Sequence, residues 1–140
     1  MSEQDNIRII KDAYDAFKKG DIPGLLNMLT DDVEWITPGP KDIMPVAGHR
    51  RGRDGVTEFF STLSSQENVE VFEPEEYIAQ GDKVVAIIRY RGRVKATGRT
   101  AETPLVHVFD LRNGKVSRFR EFCDTAAILP AFTSAQAASQ

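Results

Sequence analysis

The spacing of apolar residues divides the chain into a helical first part and an extended remainder. Between residues 5 and 19, Ile7, Ile10, Tyr14 and Phe17 recur at helical spacing with charged residues on the opposite side, the pattern of an amphipathic helix. Ser2 with Asp5 forms a capping box and Gly20 supplies the stop. In a shorter second helix, Asp21 is placed to cap, Pro23 sits early where its missing N–H does no harm, and Leu25, Leu26 and Leu29 are the buried side. Asp31-Asp32 reads as a turn, and Val33-Glu34-Trp35-Ile36-Thr37 as a strand ending at Pro38-Gly39-Pro40. Residues 38–53 carry three of the seven prolines and three glycines. They are expected to form an irregular loop at the mouth of a site. A third helix begins near Asp54 and buries Val56, Phe59, Phe60 and Leu63.

From Val69 to Asp124 the pattern is extended, with strands at roughly 69–79, 83–96, 99–111 and 115–124 broken by Gly-Asp, Gly and Asn-Gly. A last short helix, Thr125 to Phe132, is interrupted at Pro130, and the small, polar tail 133–140 is expected to be disordered. The chain therefore reads as one domain, residues 1–132. Helices first and an antiparallel meander afterwards give an α+β fold, a curved antiparallel sheet with the helices covering one face.

Which side chains share that face depends on the last hairpin. A two-residue loop, Asn113-Gly114, and a three-residue loop, Arg112-Asn113-Gly114, pair the strands with opposite parity. The three-residue loop places Leu105, His107 and Phe109 with Phe119, Glu121 and Cys123, and turns Arg118, Arg120 and Phe122 away. The shorter loop would set both arginines beside His107. Two arginines are harder to bury than one Glu and one His, so the three-residue loop is the expected one. The same reasoning puts Ala86, Ile88, Tyr90 and Val94 inside and Arg89, Arg91 and Arg93 outside, with Trp35 and Thr37 on one face of the first strand. An interior of Trp35, Ile88, Tyr90, Phe109 and Phe119 around Thr37, His107 and Glu121 suits a small hydrophobic ligand.

Composition narrows the chemistry. The chain has 140 residues, 41% hydrophobic and 28% charged, with a net charge of −3, which offers nucleic acid or an anionic membrane no electrostatic attraction. The longest apolar run, Val84 to Ile88, is too short to span a bilayer, and Met1 to Lys11 does not resemble a signal peptide. A cytoplasmic protein is expected. The lone Cys123 rules out an internal disulfide and a Cys-rich zinc site, and His49 and His107 lie too far apart for the usual local metal spacing. No Gly-rich loop follows a strand, so neither nucleotide nor flavin is expected; no cofactor is implied.

Phe17-Lys18-Lys19-Gly20-Asp21, Leu29-Thr30-Asp31-Asp32-Val33-Glu34-Trp35 and Gly52-Arg53-Asp54-Gly55-Val56 occur in this order. They are followed by the closing Asn113-Gly114-Lys115-Val116 and Arg118-Phe119-Arg120-Glu121-Phe122-Cys123-Asp124. In order and spacing, the chain resembles the nuclear transport factor 2-like superfamily, in its SnoaL-like and ketosteroid-isomerase-like branch, over about residues 5 to 132. The resemblance implies a cone-shaped half-barrel, usually a homodimer, with a deep apolar pocket. The ketosteroid isomerases' carboxylate base falls on Thr37, a hydroxyl, and their oxyanion-stabilising acid on His107. The arginine and aspartate that limonene-epoxide-hydrolase-like members carry on a central strand fall on Ile88 and Tyr90, and their second aspartate on Glu121. The SnoaL-like polyketide cyclases, which depend on an acidic acid/base in the pocket, are matched best, again at Glu121.

Glu121 is thus the candidate acid/base. A carboxylate against aromatic walls is a poorer anion than one in water and a better proton-transfer group near neutral pH; a buried ion pair with an arginine would have the opposite effect. His107 would donate to an enolate oxygen or pair with Glu121, or be a hydrogen-bonded core histidine. Trp35, Thr37, Ile88, Tyr90, Phe109 and Phe119 are the expected substrate-binding walls, and Tyr90 could also steady the enolate. Tyr14 reads as core, His49 as a solvated mouth residue, Asp124 as a helix cap and Cys123 as a small hydrophobe. The leading expectation is a cofactor-independent isomerase or cyclase acting on a small hydrophobic carbonyl compound. The alternatives are a ligand-binding or dimerisation module without turnover, and an epoxide hydrolase.

Overall fold

The computed structural model describes residues 1–133; all but the first residue of the tail at 133–140 lies outside them. Helix α1 spans Glu3–Lys18, α2 Ile22–Leu26, α3 Gly52–Gln66 and α4 Thr125–Ile128, the last continuing into a 3-10 turn at Leu129–Phe132 that contains Pro130. The strands are β1 Leu29–Thr37, β2 Gly48–Arg51, β3 Glu67–Gln80, β4 Lys83–Val94, β5 Thr100–Arg112 and β6 Lys115–Cys123. They form one curved, open sheet in the order β2-β1-β6-β5-β4-β3. Every neighbouring pair is antiparallel except β1 with β6, which run parallel. Among the described residues no helix is long and apolar enough to cross a membrane.

The caps form where the sequence places them. Ser2 and Asp5 bond each other's backbone N–H at 3.0 and 3.1 Å, Asp21 accepts from Gly24, and Asp124 accepts from Ala126. These bonds satisfy amides that have no partner within the helix. Helix α1 packs on β3 and β4, and α3 on β1. Between them and the concave face lies a continuous core that includes Ile10, Val33, Val56, Val84, Ile88 and Val116, each fully buried.

Three local expectations are corrected. The 38–53 stretch is not irregular throughout: Gly48–Arg51 pairs with Glu34–Thr37 as edge strand β2, and α3 starts at Gly52 rather than near Asp54. Asp31-Asp32 continues β1 instead of turning, because β1 begins at Leu29 opposite Val116 and is realigned by an irregularity before Glu34. The last hairpin closes with two residues: Arg112 pairs Lys115, and both Asn113 and Gly114 have positive φ, 52° and 78°. That is the geometry of a type I′ turn.

The two-residue loop does not bring the arginines inside, because a bulge follows it. The register shifts between Asp110 and Leu111, where Asp110 pairs Arg118 and Leu111 pairs Val116, so Ser117 is the extra residue. One inserted residue reverses parity, and beyond it His107 faces Glu121 and Phe109 faces Phe119. Two further shifts in β3, at Val69/Val71 and Pro74/Glu76, move its inward positions from Glu67 and Val69 to Phe72 and then to Tyr77 and Ala79. Such bulges bend a strand, and these help to wrap the sheet around the helices.

Gly114→Ala should destabilise the protein by roughly 1–2 kcal/mol, since a Cβ opposes the left-handed backbone. Urea unfolding with an unaltered m-value is the measurement, and no measurable loss would exclude the turn described.

Candidate functional site

A cavity of about 110 Å³ opens between the helices and the concave face. One water needs only ~10–15 Å³, so there is room for an organic ring. The wall is aromatic. Trp35 stacks on Phe119 with centroids 4.0 Å apart, and Phe59 and Phe60 each lie 5.7 Å from the indole. Phe17, Phe60, Leu63, Val69 and Phe72, where α1, α3 and β3 meet, are only half-buried, as are Pro38, Glu67 and Glu121 elsewhere on the wall. The 38–47 segment contributes to the wall through half-buried Pro38 and the buried side chains of Met44 and Val46. Thr37 Oγ1 and Arg50 Nη1 both donate to the Val46 carbonyl, each at 2.7 Å, and hold this segment down.

Of the expected residues, Trp35, Thr37, Tyr90, His107, Phe109, Phe119 and Glu121 all line the cavity. Ile88 does not. It is fully buried in the core behind the wall, because its inward position lies under packed side chains rather than under the void. Arg118 and Arg120 are on the outer face, where Arg118 lies 3.9 Å from Glu34. His49 is exposed beside Glu34 at 3.4 Å.

Two polar groupings interrupt the apolar lining. In the first, Tyr14 Oη lies 2.8 Å from His107 Nδ1, and His107 Nε2 lies 3.0 Å from Glu121 Oε1. The pattern is satisfied when Tyr14 donates to Nδ1 and Nε2–H donates to the Glu121 carboxylate. Burial pushes Tyr14 well above its ordinary value, which keeps it a neutral donor. Both ring nitrogens are then engaged, and the unshared capacity left at this end is to accept. Glu121 is paired with a histidine rather than an arginine.

In the second grouping, Tyr90 Oη donates to Glu67 Oε1. Burial raises Glu67 above the usual carboxylate range; the Tyr90 bond works against this and the charge of Glu121 adds to it. Burial and the Glu67 charge likewise raise Tyr90. Cys123 is pushed up to about 12 by burial, then by Glu121 and Asp124, so its thiol is a poor nucleophile. Among the described residues no lysine or arginine lines the cavity, so an anionic ligand would meet acidic side chains without a countercharge. Among the described residues no cluster of His, Cys, Asp and Glu is arranged to hold a metal ion.

Tyr14 and Glu67 were not legible as site residues. Tyr14 is part of the helical stripe and touches the core rings as well as His107. Glu67 sits where α3 runs into β3 without a loop; its signal would have been its pairing opposite the inward Val94.

The profile of the SnoaL-like domain matches residues 10–119. A nuclear transport factor 2-like protein of Burkholderia xenovorans is 38% identical, with a TM-score of 0.87 over 95% of this chain and 99% of its own. TerC, solved with polyporic acid, is 30% identical, with a TM-score of 0.78 over 91% of this chain and 98% of its own. An uncharacterised protein of Mycobacterium tuberculosis is 25% identical over 130 residues, 91% of this chain and 95% of that protein.

Proposed function

Since the chain belongs to the SnoaL-like domain family, we propose that it is a cofactor-independent acid/base enzyme, of isomerase or cyclase type, for a small, neutral, hydrophobic carbonyl compound. The observation that carries this reading is the Tyr14–His107–Glu121 relay, with its accepting end in an apolar cavity. Glu121 takes a proton from the carbon beside the carbonyl. The C–H electron pair becomes a C=C bond and the carbonyl π pair moves to oxygen, giving an enolate that is reprotonated at another carbon or attacks a second carbonyl. His107 is a positioning residue, since its N–H fixes the carboxylate and Tyr14 fixes the ring. That TerC was crystallised with polyporic acid supports a small-molecule ligand for this chain. The epoxide-hydrolase alternative finds no support on the central strand, where Ile88 is buried off the wall and Tyr90 is bonded to Glu67.

The test is exchange of the α-protons of 2-indanone into D₂O, followed by NMR. Catalysed exchange is expected from the wild-type protein. Binding of 2-indanone with exchange at the buffer rate would favour the module without turnover and overturn the enzyme reading. The same proposal takes a homodimer as the assembled state, with the exposed Phe122 among the outer-face valines as the patch a second copy covers; a monomer in sedimentation velocity would refute that part.

A further inference from the structure

Glu67 and Glu121 both line the one cavity, yet their settings are opposite in kind. Glu121 receives the N–H of His107 and is left able to accept. Glu67 receives Tyr90 on Oε1, while its Oε2 has no protein partner among the described residues. Space for this second grouping is provided by the backbone. Gly92 faces inward on β4 two residues after Tyr90, and a Cβ there would lie 2.0 Å from the Tyr90 hydroxyl and 3.2 Å from Glu67 Oε1. Its φ is not in the left-handed region, so the chain does not need glycine for its conformation. A glycine in a strand marks a close approach of another group, and here the approaching group is the Tyr90–Glu67 pair.

We propose that Glu67, seated on Tyr90 in the space left by Gly92, is the acid of the cavity and donates from Oε2 to the carbonyl oxygen of a ligand whose carbon-bound proton faces Glu121. The ligand class follows: a neutral, conjugated or ring ketone with its oxygen toward β3 and its acidic C–H toward β6. The catalytic part rests on the base reading of Glu121; the binding part does not. As Glu121 takes the carbon-bound proton, the Glu67 proton passes to the carbonyl oxygen, leaving an enol, a protonated Glu121 and a Glu67 carboxylate that keeps the Tyr90 hydrogen bond. Return of one proton to Glu67 and of the other to a different carbon completes an isomerisation with no co-reactant. Burial raises the Glu67 carboxyl above its ordinary range, the direction an acid role needs, and the Tyr90 bond opposes the rise; Tyr90 from β4 and Glu121 from β6 are the titratable groups that act on it.

The experiment is isotope-edited infrared spectroscopy of carbonyl-¹³C 2-indanone bound to the full chain, with binding titrations alongside. In the wild type the carbonyl band should move to lower wavenumber than in hexane. Glu67→Gln, which keeps an N–H₂ donor, should retain the shift. Glu67→Ala should lose it and bind about tenfold more weakly, and Gly92→Ala, which displaces the Tyr90 hydroxyl, should weaken it. Raising the pH through the Glu67 titration should remove the shift and the affinity in the wild type but not in Glu67→Gln, since only the neutral acid donates. At a pH below the Glu67 titration of both proteins, Glu121→Gln should leave the shift in place even if it abolishes exchange, which separates failure of this proposal from failure of the base reading. A hexane-like band in the wild type, no binding at millimolar 2-indanone, or an unchanged band in Glu67→Ala would overturn it.

Discussion

Glu121→Gln is expected to slow α-proton exchange of 2-indanone by roughly 10²–10⁴-fold, the usual contribution of a positioned general base. The substitution isolates the base from the scaffold. A glutamine side-chain carbonyl can still accept from His107 Nε2–H, so the Tyr14–His107 contact and the packing of His107 on Phe119, 4.7 Å between centroids, have no reason to move. What disappears is the capacity to hold a proton. The variant also removes a negative charge that raises Glu67, Tyr90, Tyr14 and Cys123, so all four should titrate at lower pH. A downward move of Glu67 in carboxyl-resolved NMR would confirm that the substituted group faced the same cavity. Exchange at the wild-type rate, with the fold intact by circular dichroism, would remove Glu121 from the chemistry.

The face on which Glu121 emerges was readable because the cost of burying two guanidinium groups is large compared with the cost of one bulge. Burial fixes the parity of His107 and Glu121, whereas the turn beside them has two residues rather than the expected three. Asn113-Gly114 satisfied its own local preference for a two-residue turn, and Ser117 absorbed the mismatch. A small polar residue fits a bulge, a strand or a loop equally well, so nothing in its identity revealed the role. Strand β2 was hidden for a related reason. Gly48-His49-Arg50-Arg51 has no alternation of apolar and polar residues, and it is extended because the edge of β1 offers partners. Arg50 can then be buried, since Val46 and Pro45 carbonyls and Glu58 receive its guanidinium. Glu67 carries no sequence signal, because periodicity says little where a helix passes straight into a strand. The helical spacing of Tyr14 predicts a core ring, which it is, and is silent about the hydroxyl that meets His107. Side-chain spacing thus reports what apolar surfaces do; the polar pairs that give the cavity its two different ends arise only once distant strands meet.

Trp35→Ala should cost about 3–5 kcal/mol, the range for deleting a large buried aromatic, and lower the thermal midpoint by on the order of 10 °C. The indole is 5% exposed and is the ring on which the wall of the cavity is assembled, stacked on Phe119 and flanked by Phe59 and Phe60. Its Nε1 has no hydrogen-bond partner among the described residues, so truncation breaks no polar contact and the loss is one of apolar packing. Two effects compete over the size of that loss. The void left by the indole adjoins an existing cavity, so neighbouring rings can shift into it, which reduces the cost. Against this, the rings that would move belong to α3 and β6, and α3 is tied to the sheet by the Arg53 guanidinium donating to the Leu29 carbonyl at 2.7 Å. A tethered helix relaxes only partly, which keeps the cost within the range for closely packed cores. Trp35→Phe, retaining a stacking ring, should lose less than Trp35→Ala and keep 2-indanone binding, whereas the alanine variant should bind it more weakly because one wall is gone. Urea unfolding compared at equal m-values is the measurement for stability. A Trp35→Ala loss below about 0.5 kcal/mol, the scale of an ordinary surface substitution, would mean that the ring is not part of the cooperative core and that the cavity wall does not depend on the Trp35–Phe119 stack.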